Sequence, residues 1–146
     1  MLIYPKYPLK TRKNEDKKTE VWDIVRKKWV LLTPEELVRQ HLIHYLIYEK
    51  KYPLEIIAVE REFQVFNVKK RFDVAALNKH QQFIFVAECK APDVHLNEEV
   101  IYQILTYNLK LNAHCLIITN GIQQFVYEKK NEEWLLSDDI KAFDEW

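Results

Sequence analysis

Glycine and serine are almost missing from this chain, with one of each in 146 residues, Gly121 and Ser137. A lone glycine cannot build a phosphate-cradling loop or a G-x-G-x-x-G dinucleotide turn, so both are excluded. The lone serine lies outside any Gly-x-Ser-x-Gly turn, which argues against a hydrolase built on that nucleophile elbow. Cysteine is scarce too: Cys89 and Cys115 stand in apolar surroundings and read as buried thiols of a reducing compartment. No apolar run approaches the ~20 residues of a membrane span. The first residues lack the unbroken apolar stretch of a signal peptide, so a cytoplasmic location is expected. Net charge is the last deficit. The 22 Lys and Arg balance 22 Asp and Glu, so nucleic-acid contact would need a local basic face. Lys27-Lys28, Lys50-Lys51 and Lys69-Lys70-Arg71 could supply one, although each alone reads more simply as a solvated turn or strand end.

What the chain does have is core material. It is 48% hydrophobic and 13% aromatic, enough for one folded domain over residues 1–146 and against disorder. We divide it into an N-terminal β-hairpin (8–30), a core (33–128) and a C-terminal extension (129–146). In the hairpin, two strands flank the polar run Lys13-Asn14-Glu15-Asp16-Lys17, and the second extends over Glu20–Val30. A helix start follows, with Thr33 as N-cap, Pro34 at the first helical position and Glu36 completing a capping box. Apolar residues then recur at helical spacing until Lys50-Lys51 and Pro53.

Three strands are expected next: Glu55–Val68, Arg71–Leu77 and Gln82–Lys90, the last two forming a hairpin around Asn78-Lys79-His80-Gln81. A second helix starts near Asn97-Glu98-Glu99 and runs to about Leu111. Strands His114–Thr119 and Ile122–Glu128 enclose Asn120-Gly121, a strong hairpin signal. A short strand at Trp134–Leu136 and a Ser137-capped helix complete the order. The fold class is therefore α/β, a mixed sheet flanked by helices.

Chemistry concentrates on the third hairpin strand. Side chains alternate along a strand, so Glu88 and Lys90 share a face with Ile84 and Val86, while Cys89 points the other way beside Ala87. If the turn is centred on Lys79-His80, Asp73 falls opposite Ala87 or Glu88, within cross-strand reach. Two carboxylates and a lysine then meet at one end of a largely apolar sheet. Like charges that close need compensation. A divalent cation supplies it, and Mg²⁺ typically binds through one or two carboxylates plus waters and substrate phosphate. A neighbouring lysine could orient a water and stabilise charge developing on phosphate. Read without context, Glu88-x-Lys90 is more simply a charged strand end reaching solvent.

The context is an Asp on the preceding strand, Glu-x-Lys, then a helix carrying Gln103 and Tyr107. It resembles the PD-(D/E)xK nuclease superfamily, whose branches include a Gln-xxx-Tyr motif like Gln103-Ile104-Leu105-Thr106-Tyr107. More narrowly, Thr33-Pro34-Glu35-Glu36, Val38-Arg39-Gln40, Glu60-Arg61, Arg71-x-Asp73, Glu88-Cys89-Lys90-Ala91-Pro92 and Thr119-Asn120-Gly121 together resemble the N-terminal nuclease domain of type I restriction-enzyme R subunits, in a short stand-alone form. The resemblance spans about residues 20–128 and rests on order and spacing. It departs at Phe72, where the superfamily name has Pro.

The resemblance implies a restriction-endonuclease-like fold with an αβββαβ core. It also implies an Mg²⁺- (or Mn²⁺-) dependent endonuclease hydrolysing DNA phosphodiester bonds through a metal-activated water. Asp73 and Glu88 would be metal ligands, with the Cys89 backbone carbonyl a third. Lys90 would position the water. Glu36 would add a carboxylate from the first helix, with Glu35 close behind and capping as the competing role for Glu36. Gln103 would touch the site or the DNA backbone, whereas Tyr107 reads rather as core. The expected partners are DNA, restriction-system subunits and a second copy of the chain, with no membrane. The helicase motor of R subunits has no counterpart here, so no ATP-driven translocation is expected of this chain. The alternative function is a catalytically silent nucleic-acid-binding or protein-assembly module of the same fold.

Three further signals carry less. His41 and His44, at i and i+3, lack further ligands at zinc spacing and read as partly exposed helix-face residues. No histidine is placed to activate Cys89. Trp22, Trp29, Trp134 and Trp146 lack the spacing of a stacking platform and read as packing residues.

Overall fold

Thr33 accepts the Glu36 N–H at 3.1 Å and opens α1 (Pro34–Tyr48), as its side chain and the following proline require. The computed structural model describes residues 1–146 and sets α1 against one face of a six-stranded sheet. Before the helix lie β1 (Thr11–Lys13), β2 (Thr19–Asp23) and β3 (Lys28–Leu31), an antiparallel sheet of their own. The expected long strand Glu20–Val30 is thus two strands, divided by a turn in which Asp23 Oδ1 accepts the Val25 and Arg26 N–H groups.

The large sheet takes β4 (Ile57–Val59), β7 (Val74–Leu77), β8 (Phe83–Cys89), β9 (Ala113–Thr119), β10 (Gln124–Lys130) and β11 (Glu133–Ser137). They lie in the order β11-β10-β9-β8-β7-β4. Only β8 and β9 pair in parallel, joined through α2 (Glu98–Tyr107), the crossover that a parallel pair needs. Asn97 caps α2 by accepting the Val100 N–H. The helix ends at Tyr107, short of the expected Leu111. Between β4 and β7 the chain leaves the sheet to make a hairpin, β5 (Glu62–Val65) and β6 (Val68–Arg71). The expected strand Glu55–Val68 is therefore broken at Glu60, which adopts φ +50°, and turns back at Phe66-Asn67, both also at positive φ.

Two cores result. One lies between α1 and the sheet, with Leu42, Ile43 and Leu46 against Phe85, Ala87, Cys89 and Ile117. The other, under α2, gathers Phe72, Val86, Leu96, Ile101 and Ile118. Val86 shares the Glu88 side as expected. Ile84 does not: it packs on the α1 side, close to a register shift between Ala76 and Leu77. Phe72 closes the base of the β5–β6 hairpin against Phe63 and Phe83. Gly121 tightens the β9–β10 turn at φ +82°, where an added Cβ would lie 2.7 Å from Leu2. The expected Ser137-capped helix is a single 3₁₀ turn at Phe143–Glu145. No helix is long and apolar enough to cross a membrane.

The histidines of α1 are buried, contrary to expectation, because Tyr7 packs over both rings. His44 Nδ1–H donates to the Gln40 carbonyl at 2.8 Å, and burial pushes its pKa below the ordinary value. A depressed folded pKa means that the unfolded chain binds the proton first. The contribution of His44 to stability should therefore fall as pH drops below about 6.5, against the opposite contribution of Glu88, whose raised pKa favours the fold as pH falls. Urea midpoints at pH 7.5 and 5.5 isolate it by difference: on acidification the unmodified chain should lose more, or gain less, stability than His44→Gln. An unchanged slope in the variant assigns the acid sensitivity elsewhere.

Candidate active site

The β7–β8 register places Val74 opposite Ala87, which puts Asp73 across from Glu88 where the chain enters β7. Asp73 is held from two sides. The Cys89 N–H donates to Oδ2 at 2.7 Å, and Arg39 Nη2 donates to Oδ1 at 3.1 Å. The Glu88 carboxyl is pushed up to about 7, first by burial and then by the charge of Asp73 beside it, while Lys90 and Lys70 pull it down. Lys90 continues β8 by donating its N–H to the Thr119 carbonyl, which leaves its half-buried side chain beyond the end of the strand. Asp73, Glu88 and Lys90 therefore share one end of the sheet.

The α1 carboxylates belong to a different arrangement. Glu36 does not reach back to the Thr33 N–H, so the capping box is only half made. Its carboxylate instead accepts Arg26 at 3.0 Å, Arg39 at 2.7 Å and Gln40 at 3.1 Å. Arg39 is the hub. With 4% of its side chain exposed, it contacts Glu35, Glu36, Glu60 and Asp73. Arg39 thus stands as the cation between Glu36 and Asp73. Glu35 is the more exposed of the two candidates on the helix.

Glu60 was not among the expected site residues, yet it completes this hub. Its N–H donates to the Asp73 carbonyl, and its carboxylate meets Arg26, Arg39 and Arg71. A positive φ at a residue with a side chain costs on the order of 1–3 kcal/mol and persists only where its surroundings impose it.

On the α2 side, Gln103 is exposed, as is Tyr107 at 63%, so Tyr107 is not the core residue expected. Lys70 lies over the Tyr107 ring at 4.0 Å and donates to its carbonyl at 3.0 Å. Lys70, whose charge also acts on Glu88, and Tyr107 therefore form a polar, cationic surface where β6 meets the end of α2. The Lys69-Lys70-Arg71 run and Tyr107 of the Gln-xxx-Tyr motif were its traces in the sequence.

No group of three or more His, Cys, Asp or Glu side chains converges in an arrangement able to hold a metal ion. What is present is a carboxylate pair, one member raised by burial and then by the other, and this donor set suits a hard cation that completes its shell with water and phosphate oxygens. The charge of Glu36 is already met by two arginines.

No curated protein matches the chain. One family does: type I restriction enzyme R protein N terminus (HSDR_N), over residues 34–140, from the first turn of α1 past β11. That span holds the carboxylate pair, Lys90 and the Arg39 hub, and with most of its length matched the chain belongs to the type I restriction enzyme R protein N-terminus family.

Proposed function

We propose that the protein is a Mg²⁺-dependent nuclease that hydrolyses DNA phosphodiester bonds, with its centre at Asp73, Glu88 and Lys90. The observation that carries the reading is the Asp73–Glu88 pair. Burial and mutual repulsion make it unfavourable alone, and a divalent cation offsets both. Asp73, Glu88 and the Cys89 carbonyl would hold the ion. A bound Mg²⁺ or Mn²⁺ would supply charge neutralisation at the phosphate and a lowered pKa for water.

This chain's own residues do the positioning. Arg39 and the Cys89 N–H fix the Asp73 carboxylate from both sides, so its orientation is set before substrate arrives. Lys90 supplies a positive group where charge grows on the phosphoryl oxygens, and orients the attacking water. Lys70, whose charge acts on Glu88, and the exposed Gln103 of α2 would meet the DNA backbone. Family membership places the chain in a restriction context, with DNA and restriction-system subunits as its proposed partners.

The test is supercoiled plasmid incubated with protein in Mg²⁺, in Mn²⁺ and in chelator, beside Lys90→Ala. Nicking in metal alone, lost in the variant while its circular dichroism is unchanged, is the expected outcome. Nicking that survives the variant or the chelator overturns the assignment. No nicking under any condition favours a silent binding module.

A further inference from the structure

The zero net charge of the chain conceals a polarity. Residues 1–33 hold nine Lys and Arg against four Asp and Glu, a surplus of five positive charges, and the remainder, with thirteen against eighteen, carries the matching deficit. The surplus sits on the β1–β3 sheet, which precedes the family-matched span. Its inner face is closed by Val21 and Asp23, both fully buried. The outer face carries Trp22 and Trp29, directly paired across strands with ring centroids 5.5 Å apart at 67°. Lys10 Nζ lies 5.7 and 5.6 Å from the two rings, and the Arg12 guanidinium 4.3 Å from Trp29. The acids near this face are Glu20, bonded to Arg12, and Glu15 and Asp16 in the β1–β2 turn. These tryptophans lie seven residues apart in sequence, and only the β2–β3 turn brings them together.

We infer that the outer face of the β1–β3 sheet is a docking surface for single-stranded DNA, with the tryptophan pair stacking bases and Lys10 and Arg12 meeting phosphates. Adjacent aromatic rings ringed by cations are what an unpaired strand needs, because every base has a π-face and every nucleotide a negative charge. A duplex hides its base faces and offers such rings nothing to stack on.

The surface also connects to the candidate site. Lys28 and Trp29 are consecutive on edge strand β3 and so point to opposite sides. Lys28 lines a polar cleft of about 450 Å³ with Arg26, Arg61, Arg71 and Glu60. A strand rounding that edge passes from the tryptophans into a cleft with four cations and one acid, two residues from Asp73. Arg26 locks the arrangement, bonding Asp23 within the sheet and Glu36 and Glu60 in the hub.

The choice of DNA as ligand rests on the nuclease reading, and the test, run in chelator, keeps the two separable. The full chain is titrated against fluorescein-labelled dT15, reading anisotropy and tryptophan fluorescence over a range of salt, with blunt duplex as competitor. Binding with tryptophan quenching is expected, and dT15 should be preferred over duplex. Lys10→Gln/Arg12→Gln should weaken binding about tenfold and reduce the salt slope by about 1.4, at ~0.7 per phosphate contact. This double variant retains both tryptophans. A Lys51→Gln/Lys130→Gln control, elsewhere on the surface, should leave binding unchanged. The inference is overturned by absent binding, by equal affinity for duplex, or by an equal loss in the control pair. It is equally overturned if the Lys10/Arg12 variant changes only self-association in sedimentation. Binding without plasmid cleavage leaves it standing while the nuclease reading falls.

Discussion

Replacing Glu88 with glutamine should make the protein more stable and abolish the proposed nuclease activity. The carboxyl is half-buried beside Asp73, where its ionised form suffers desolvation and repulsion together. The amide keeps the shape and removes the charge. In chelator at pH 8, urea unfolding should show a gain of about 1–3 kcal/mol. Plasmid nicking in Mg²⁺ should fall by about 10²–10³-fold, the scale of losing one preorganised electrostatic contact. Opposite signs in the two measurements mark a residue kept for function at a cost to folding. A variant that loses stability instead would make Glu88 a structural carboxylate.

Arg39 should behave in the reverse way. Arg39→Met is expected to destabilise the fold by about 3–5 kcal/mol, the range for removing one partner from a buried ion pair. The reason is the company it leaves: Glu36 and Asp73, with side chains 7% and 18% exposed, and Glu60 and Glu35 further out. Arg39→Lys should recover only part of the loss, since one ammonium cannot reach α1, Glu60 and Asp73 at once. Urea midpoints of the two variants measure this directly. A loss below about 1 kcal/mol for Arg39→Met would mean that the hub is solvated in solution.

Parts of the architecture were legible because their signals are local. Thr33-Pro34 announces α1, Asn97 announces α2, and Asn120-Gly121 announces the β9–β10 turn. Counting outward from a hairpin turn put Asp73 opposite Ala87 or Glu88, since strand period and antiparallel register leave little freedom, and the register selects Glu88. The β5–β6 hairpin was invisible for a reason rooted in composition. With one glycine in the chain, nine other residues take positive φ, among them Glu60, Phe66 and Asn67. A reader who expects glycine where the chain reverses runs one strand through all three.

The Arg39 hub was hidden differently. Among 30% charged residues the potential ion pairs are too many to rank, and only the fold selects four carboxylates for one guanidinium. Tyr107 was misread because helical spacing assigns a residue to a face without saying whether that face is covered. The paired tryptophans escaped because a count of spacings along the chain overlooks the turn between β2 and β3.

The clasp that Tyr4 makes on Thr119, the β9 neighbour of Cys89, bears on the order of assembly. Its hydroxyl donates to Gln124 Oε1 at 2.6 Å and lies 2.9 Å from the Thr119 hydroxyl, contacts that close loops of 120 and 115 residues. The Thr119 carbonyl also receives the Lys90 N–H that extends β8. Such distant contacts come late, because each loop must surrender its entropy before the contact repays it. A chain emerging from the ribosome has made Asp73, Glu88 and Lys90 well before it has made β9. During synthesis the charged trio therefore exists as peptide before it exists as a site, and chemistry has to wait for topology.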